Sequence, residues 1–264
     1  MASPKPTILF IHGGWHTPAT YSKLTSALES AGYTVHLPPL PSVSPTRPPT
    51  ANLATDTAII RAYAEDLLAA GHTVLAIMHS YGGQVGTNAL CGLSSAARAA
   101  QGLRGGIAHL MYVAAFALPE ATCMIDKVRE FGHEELLPLA FDFADDMSVV
   151  SRDAKTLLVG PVTAGDEAEA ELEAYVGGLV RWNGQCMYDK IERCAWREDV
   201  GVTYVHCTRD MTVPFDYQKS MVEGMRAAGR EVRTVEVETG HCPNFTKTAE
   251  VVRAVEGVVR KMGE

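Results

Sequence analysis

Short apolar runs alternate along the chain with longer stretches of helical spacing. Residues 7–12 (TILFIH) place four apolar side chains in a row and stop at Gly13 and Gly14, the pattern of a strand buried on both faces. Pro18 can open a helix that runs to Glu29 and that Gly32 ends, because proline suits a first helical turn and glycine a C-terminal cap. Residues 33–37 read as a second short strand. Six prolines between Pro38 and Pro49 then exclude helix. Helical spacing returns over residues 52–70 and stops at Gly71. Residues 72–78 (HTVLAIM) form the next strand, followed at once by His79-Ser80-Tyr81-Gly82-Gly83 and a helix expected to reach Ala100. Further strands are expected at 107–116, 202–207 and 232–237, and helices at 216–228 and 246–262. Strands separated by helix-length segments pair in parallel through right-handed crossovers. The expected fold is α/β, a mostly parallel sheet with helices on both faces.

Residues 119–196 break this rhythm. They carry acidic clusters and helical stretches such as 165–180 but no strong strand, so they are expected to form a helical lid inserted over the C-terminal edge of the sheet. The acidic run 166–173 (DEAEAELE) reads as a solvated helix start. With no internal repeat or low-complexity linker, residues 1–264 are expected to be a single domain with this insertion.

Composition removes several classes of function. The 23 Lys+Arg against 31 Asp+Glu leave a formal net charge of −8 with no basic run, so a nucleic-acid partner is not expected. No apolar stretch approaches the ~20 residues that a membrane span needs. Residues 1–6 lack the basic start and apolar run of a secretory signal, which favours a cytoplasmic protein. Six cysteines without a CxxC pair read as free, mostly buried thiols.

Ser80 is the informative residue. It follows a buried strand and precedes a helix among small residues, the strand–turn–helix context that exposes a nucleophilic hydroxyl at the top of a sheet. A serine at its ordinary pKa needs a base, and the base needs a group to orient it. His241 stands just after the last strand and Asp210 just after the strand before it, so Ser80, Asp210 and His241 fall in the chain order of this fold class. Asp126 and Glu120, beyond the strand ending near Phe116, are the competing acids. The loop His12-Gly13-Gly14-Trp15 can turn backbone N–H groups toward the serine. The expected oxyanion donors are the N–H groups of Gly14 and Tyr81, with Trp15 as alternative donor or pocket wall. His12 and His16 are four apart in a glycine-rich loop rather than on a helix face, and no HExxH occurs, so no metal is expected. Neither GxGxxG nor GxxxxGK[ST] occurs, so no nucleotide cofactor is expected.

The segments ILFIHGGW, MHSYGG, CTRDMTVP and ETGHCPNF together resemble the α/β-hydrolase superfamily, nearest to the small esterases of the plant methylesterase and hydroxynitrile lyase branch. One departure from that pattern is Met78, which stands where the G-x-S-x-G elbow has its first glycine. The resemblance implies a cofactor-free serine hydrolase that cleaves a small methyl ester, aryl ester or lactone through an acyl-enzyme. The alternative is a lyase or cyclising enzyme of secondary metabolism on the same triad, and a binding protein on this fold is a third possibility. In the hydroxynitrile lyases of the branch a threonine follows the first-loop histidine and a lysine follows the catalytic one. Gly13 and Cys242 occupy those places here, which favours ester cleavage. The expected substrate pocket includes Trp15, Gly13, Trp182, Phe141 and Cys242. A wider lining from Phe131, Leu136, Leu137, Phe143, Tyr175, Leu179 and Met187 would suit an apolar acyl group.

Overall fold

The computed structural model describes residues 5–160 and 169–262. The chain runs through β1 (Thr7–Ile11), α1 (Ser22–Ser30), β2 (Val35–His36), α2 (Leu53–Ala69), β3 (Thr73–His79), α3 (Tyr81–Ala89), α4 (Ser95–Ala99) and β4 (Gly106–Val113). It continues through α5 (Met124–Glu130), α6 (Leu137–Ala140), β5 (Phe141–Phe143), β6 (Ser148–Ser151), α7 (Glu169–Gly177) and β7 (Trp182–Asn183). It closes with β8 (Gly201–Cys207), α8 (Phe215–Ala227), β9 (Arg233–Val237), α9 (Pro243–Thr246) and α10 (Thr248–Met262).

Six strands form one sheet in the order β2-β1-β3-β4-β8-β9, every neighbouring pair parallel. Apolar residues that alternate along a strand serve opposite faces. Leu9, Ile11, Ala76 and Met78 point into one cluster with α2, α3 and α8, while Ile8, Phe10, Leu75 and Ile77 point into the other with α1 and α10. The spacing of Val251, Val255 and Val258 on α10 puts all three on the face turned to the sheet. Asn52 caps α2 by accepting the Thr55 N–H at 3.2 Å. Among the described residues no helix is long and apolar enough to cross a membrane.

Two expectations change. The helix expected from Tyr81 to Ala100 breaks after Ala89, where Gly92 takes a φ of +84° and Ser94 caps α4 through the Ala97 N–H. The insertion is also not purely helical. β5, β6 and β7 make a small antiparallel sheet. It is stitched to the main body by Trp15 Nε1–H to the Val149 carbonyl at 3.1 Å and by the Asn183 N–H to the Ser42 carbonyl at 2.9 Å. Strands this short carry too few residues to show a period of two. Residues 165–168 of the expected helix and 166–168 of the acidic run lie outside the described residues; the remainder of both begins in α7.

Candidate active site

A parallel sheet gathers every strand's C-terminal end along one edge, and a reversal of strand order opens a crevice there. β2 and β3 leave opposite sides of β1, so that crevice lies above β1 and β3. His12 follows β1 and Ser80 follows β3, while Asp210 and His241 lie a few residues beyond β8 and β9.

Ser80 has φ 54° and ψ −123°, a conformation that costs a non-glycine residue about 1–3 kcal/mol. The turn is held on both sides, the Ser80 carbonyl accepting the N–H groups of Gly83 at 3.0 Å and Phe116 at 3.1 Å. A Cβ on Gly82 would overlap the Ile11 carbonyl, which shows how closely α3 is set against β1. Met78 is accommodated one helical turn further on. Its side chain lies across Gly86, where any Cβ would strike the methionine sulfur. The elbow thus keeps its turn without a glycine at position 78 because the space is taken from α3 instead.

Asp210 and His241 are both buried, with His241 Nδ1 2.7 Å from Asp210 Oδ2. The other carboxylate oxygen accepts the N–H groups of Thr212 and Val213, both at 2.8 Å. A carboxylate held this way fixes Nδ1 as the protonated nitrogen. Nε2, on the opposite edge of the ring, has no hydrogen-bond partner among the described residues. Gln218, fully buried, clasps the loop from below. Its amide binds the Cys207 N–H and carbonyl and the Val213 carbonyl at 2.8–3.0 Å. Nothing in the sequence marks Gln218 beyond its place in the first turn of α8. The competing acids are elsewhere: Glu120 pairs with exposed Arg197, and Asp126 caps α5 through the Cys123 N–H.

The two first-loop histidines brace the loop rather than offering lone pairs. His12 Nδ1 donates to the Gly13 carbonyl at 3.0 Å, and its Nε2 accepts the Leu40 N–H at 3.1 Å. His16 Nδ1 donates to the Gly14 carbonyl at 2.7 Å, and its Nε2 meets the Tyr175 hydroxyl at 2.9 Å. Burial lowers the pKa of His12 to about 4 and of His16 to about 3, so both are neutral. In a trans peptide the N–H points away from the carbonyl, so anchoring the Gly13 carbonyl on His12 turns the Gly14 N–H away from that ring. Among the described residues neither the Gly14 nor the Tyr81 N–H donates to protein. Sequence reasoning missed this bracing, which the spacing of the two histidines alone does not reveal.

A cavity opens beside Ser80, with about 690 Å³ of empty space when the part open to solvent is counted. Trp15, Phe116, Phe141 and Trp182 form aromatic wall, and Leu136 and Met211 stand half-exposed on its lining. None of the described lining residues is charged. The Thr212 hydroxyl is donated to the Leu157 carbonyl at 2.7 Å and the Tyr217 hydroxyl pairs with His133 at 2.8 Å, whereas the Ser80 hydroxyl has no partner among the described residues. Of the five expected pocket residues, Trp15, Phe141 and Trp182 line this cavity, as do Leu136, Leu137 and Met187 of the wider set. The other two do not. Gly13 lies against Ser80, where a Cβ would come 2.9 Å from the serine Cβ, and Cys242 is fully buried against His16. Phe131 stacks on the far side of Tyr217, and Tyr175 stacks on Phe245. Phe143 and Leu179 pack against the core without reaching the cavity.

A protein of Phoma sp. (strain ATCC 20986 / MF5453) named a probable hydrolase is 25% identical over 259 residues, covering 96% of this chain and 99% of that one. Among solved structures, polyneuridine aldehyde esterase superposes with a TM-score of 0.73 at 17% identity, covering 97% of this chain and 99% of its own. A pyrethroid hydrolase from Sphingobium faniae JZ-2 gives 0.71 at 18% identity, covering 97% of both chains. Residues 8–254, nearly the whole sheet and its helices, match the family described as the alpha/beta hydrolase family, and the chain belongs to that family.

Proposed function

We propose that this chain is a serine hydrolase that cleaves a neutral carboxylic ester with an apolar or aromatic acyl group. The observation that carries the reading is the buried Asp210–His241 pair, whose free Nε2 lies at the same sheet edge as a strained serine opening on a cavity. In this reading Ser80 Oγ attacks the ester carbonyl carbon while His241 Nε2 takes the hydroxyl proton. Asp210 stabilises the resulting imidazolium without itself taking the proton. The oxyanion is met by the N–H groups of Gly14 and Tyr81, the latter at the N-terminus of α3, where the helix dipole adds to the stabilisation. Collapse of the tetrahedral species breaks the bond to the alcohol, which leaves with the proton from His241. Water then attacks the acyl-enzyme, gives its proton to His241, and the acid departs as Ser80 is restored. Apart from the attacking water, these steps use only the chain's own groups.

The described part of the wall, which carries no charge, supports the substrate class. Moving a carboxylate from water into such a cavity without a partner costs several kcal/mol, so acyl groups carrying a second charge are disfavoured. The name of polyneuridine aldehyde esterase agrees with ester cleavage and those of the two hydrolases with hydrolysis, and all three leave the ester itself to this argument. A fluorophosphonate probe should label Ser80, and Ser80→Ala should lose both the label and ~10⁴-fold or more in turnover of a panel of methyl esters, aryl esters and lactones. Labelling that persists in Ser80→Ala would overturn the assignment. Cyanide release from mandelonitrile without hydrolysis of any ester would overturn the reaction class.

A further inference from the structure

Two buried side chains outside the proposed triad join three loops of the site. The Gly13 N–H donates to the Tyr21 hydroxyl oxygen at 3.0 Å, that oxygen lies 2.6 Å from His79 Nδ1, and His79 Nε2 lies 2.7 Å from the His241 carbonyl. Tyr21 and His79 are both almost wholly shielded from solvent. The chain of contacts therefore runs from the loop after β1, through the residue immediately before Ser80, to the backbone of the proposed base. Its last link spans 162 residues of sequence.

Only one arrangement of protons satisfies it. A carbonyl can only accept, so His79 Nε2 carries a proton. Burial first, and then the neighbouring His241 and His16, hold the His79 pKa well below its ordinary value, so the ring is neutral. Nδ1 must then accept from the Tyr21 hydroxyl, whose oxygen accepts from Gly13. Protonating Nδ1 would leave the Tyr21 proton without an acceptor in a buried place, so the same contacts that align the ring also resist a charge on it.

We infer that Tyr21 and His79 are positioning residues, which hold the oxyanion loop, the nucleophile turn and the His241 backbone in one register while remaining uncharged. The inference rests on the reading of Ser80 and His241 as the reacting pair. The His79 and His241 ring centroids are 4.8 Å apart, so a cation on His79 would oppose the imidazolium that His241 forms in turnover. A lysine in place of His79 could donate to the same carbonyl, but it would bring that opposing charge. The tie also fixes Gly13, the residue before the proposed Gly14 donor, at a point where an added Cβ would come 2.9 Å from the Ser80 Cβ and 3.1 Å from His79 Nδ1.

The bland alternative is a pair of satisfied polar groups that merely fill the core. The two readings separate by kinetics. Misplacement of a reacting group by ångströms can cost on the order of 10²-fold in rate, whereas loss of packing lowers the melting temperature and leaves kcat of the folded fraction intact. Tyr21→Phe should lower kcat about tenfold with KM for a short ester unchanged, and should slow fluorophosphonate labelling of Ser80 in proportion. His79→Leu should lose about 10²-fold in kcat, and His79→Gln, which keeps a terminal N–H of similar reach for the His241 carbonyl, should recover most of it. Wild-type kcat in Tyr21→Phe while Ser80 still labels would overturn the inference, even if His79→Leu fails to fold. A His79→Gln variant no better than His79→Leu would overturn it too, as would losses that follow melting temperature alone. Absence of labelling at Ser80 in the unmodified protein would instead sink the hydrolase reading, and this inference with it.

Discussion

Asp210 shows how one side chain can be read from two directions. Its position after β8 is a sequence fact, but its assignment over Asp126 and Glu120 rests on where each carboxylate ends up. Exchanging Asp210 Oδ2 for an amide N–H would put a donor against His241 Nδ1 and favour the wrong tautomer. We expect Asp210→Asn to lower turnover by about 10⁴-fold while the melting temperature shifts only slightly, because Thr212 and Val213 can still donate to the remaining oxygen. Wild-type turnover in Asp210→Asn, with loss in Asp126→Asn or Glu120→Gln, would move the acid to the segment between β4 and the end of α5. Cys242 illustrates the opposite case. Its place beside His241 suggests contact with substrate, yet the side chain turns inward and burial pushes its pKa up to about 12. Burial therefore disfavours the thiolate, the form in which a cysteine reacts.

The elements that present these residues depend on close approach more than on propensity. β3 and α3 could form from many sequences, but only a residue without a Cβ lets α3 begin against the β1 backbone. Gly82→Ala should cost about 3 kcal/mol in denaturant unfolding and should also reduce turnover of the folded fraction, since the Ile11 carbonyl cannot yield without moving β1. Unchanged stability in that variant would show that the turn has slack the packing does not reveal. β1, β3, β4, β8, β9 and the long helices were legible because each offers five or more residues of consistent pattern. The antiparallel strands of the insertion were not, because β7 has two residues and pairs with β6 more than thirty positions earlier. Trp15 and Ser42 tie the small sheet to the main body through contacts that have no local sequence signal.

The whole molecule stores a pH dependence in its histidines. His12 and His109 have pKa values lowered to about 4 and His16 to about 3, chiefly by burial, against an ordinary value of 6.5. Burial also lowers His36, His79 and His206. Between the folded and unfolded values the unfolded chain binds more protons, so stability falls as pH drops below about 6.5 and stops falling on this account once the folded values are passed. Asp56, whose carboxyl burial raises, works in the opposite direction but is a single group. The melting temperature should therefore decline steadily from pH 7 to pH 4, with net proton uptake on unfolding. A flat melting temperature over that interval would show that these histidines are not neutral in the folded protein.

The alternation of strand and helix, the strand-end positions of Ser80, Asp210 and His241, and the glycines around them are all determined by the sequence alone. These are local properties: hydrophobic period, turn chemistry and chain order survive without knowledge of neighbours. Only the folded chain decided everything set by contacts distant in sequence. The space for Met78 comes from Gly86, the orientation of the first loop from Leu40 and Tyr175, and the outline of the cavity from an insertion that folds back over β1. The tie from Gly13 through Tyr21 and His79 to His241 is of the same kind. A linear pattern records which side of an element is apolar, but the partner of a buried polar atom is chosen only when separate elements close on one another.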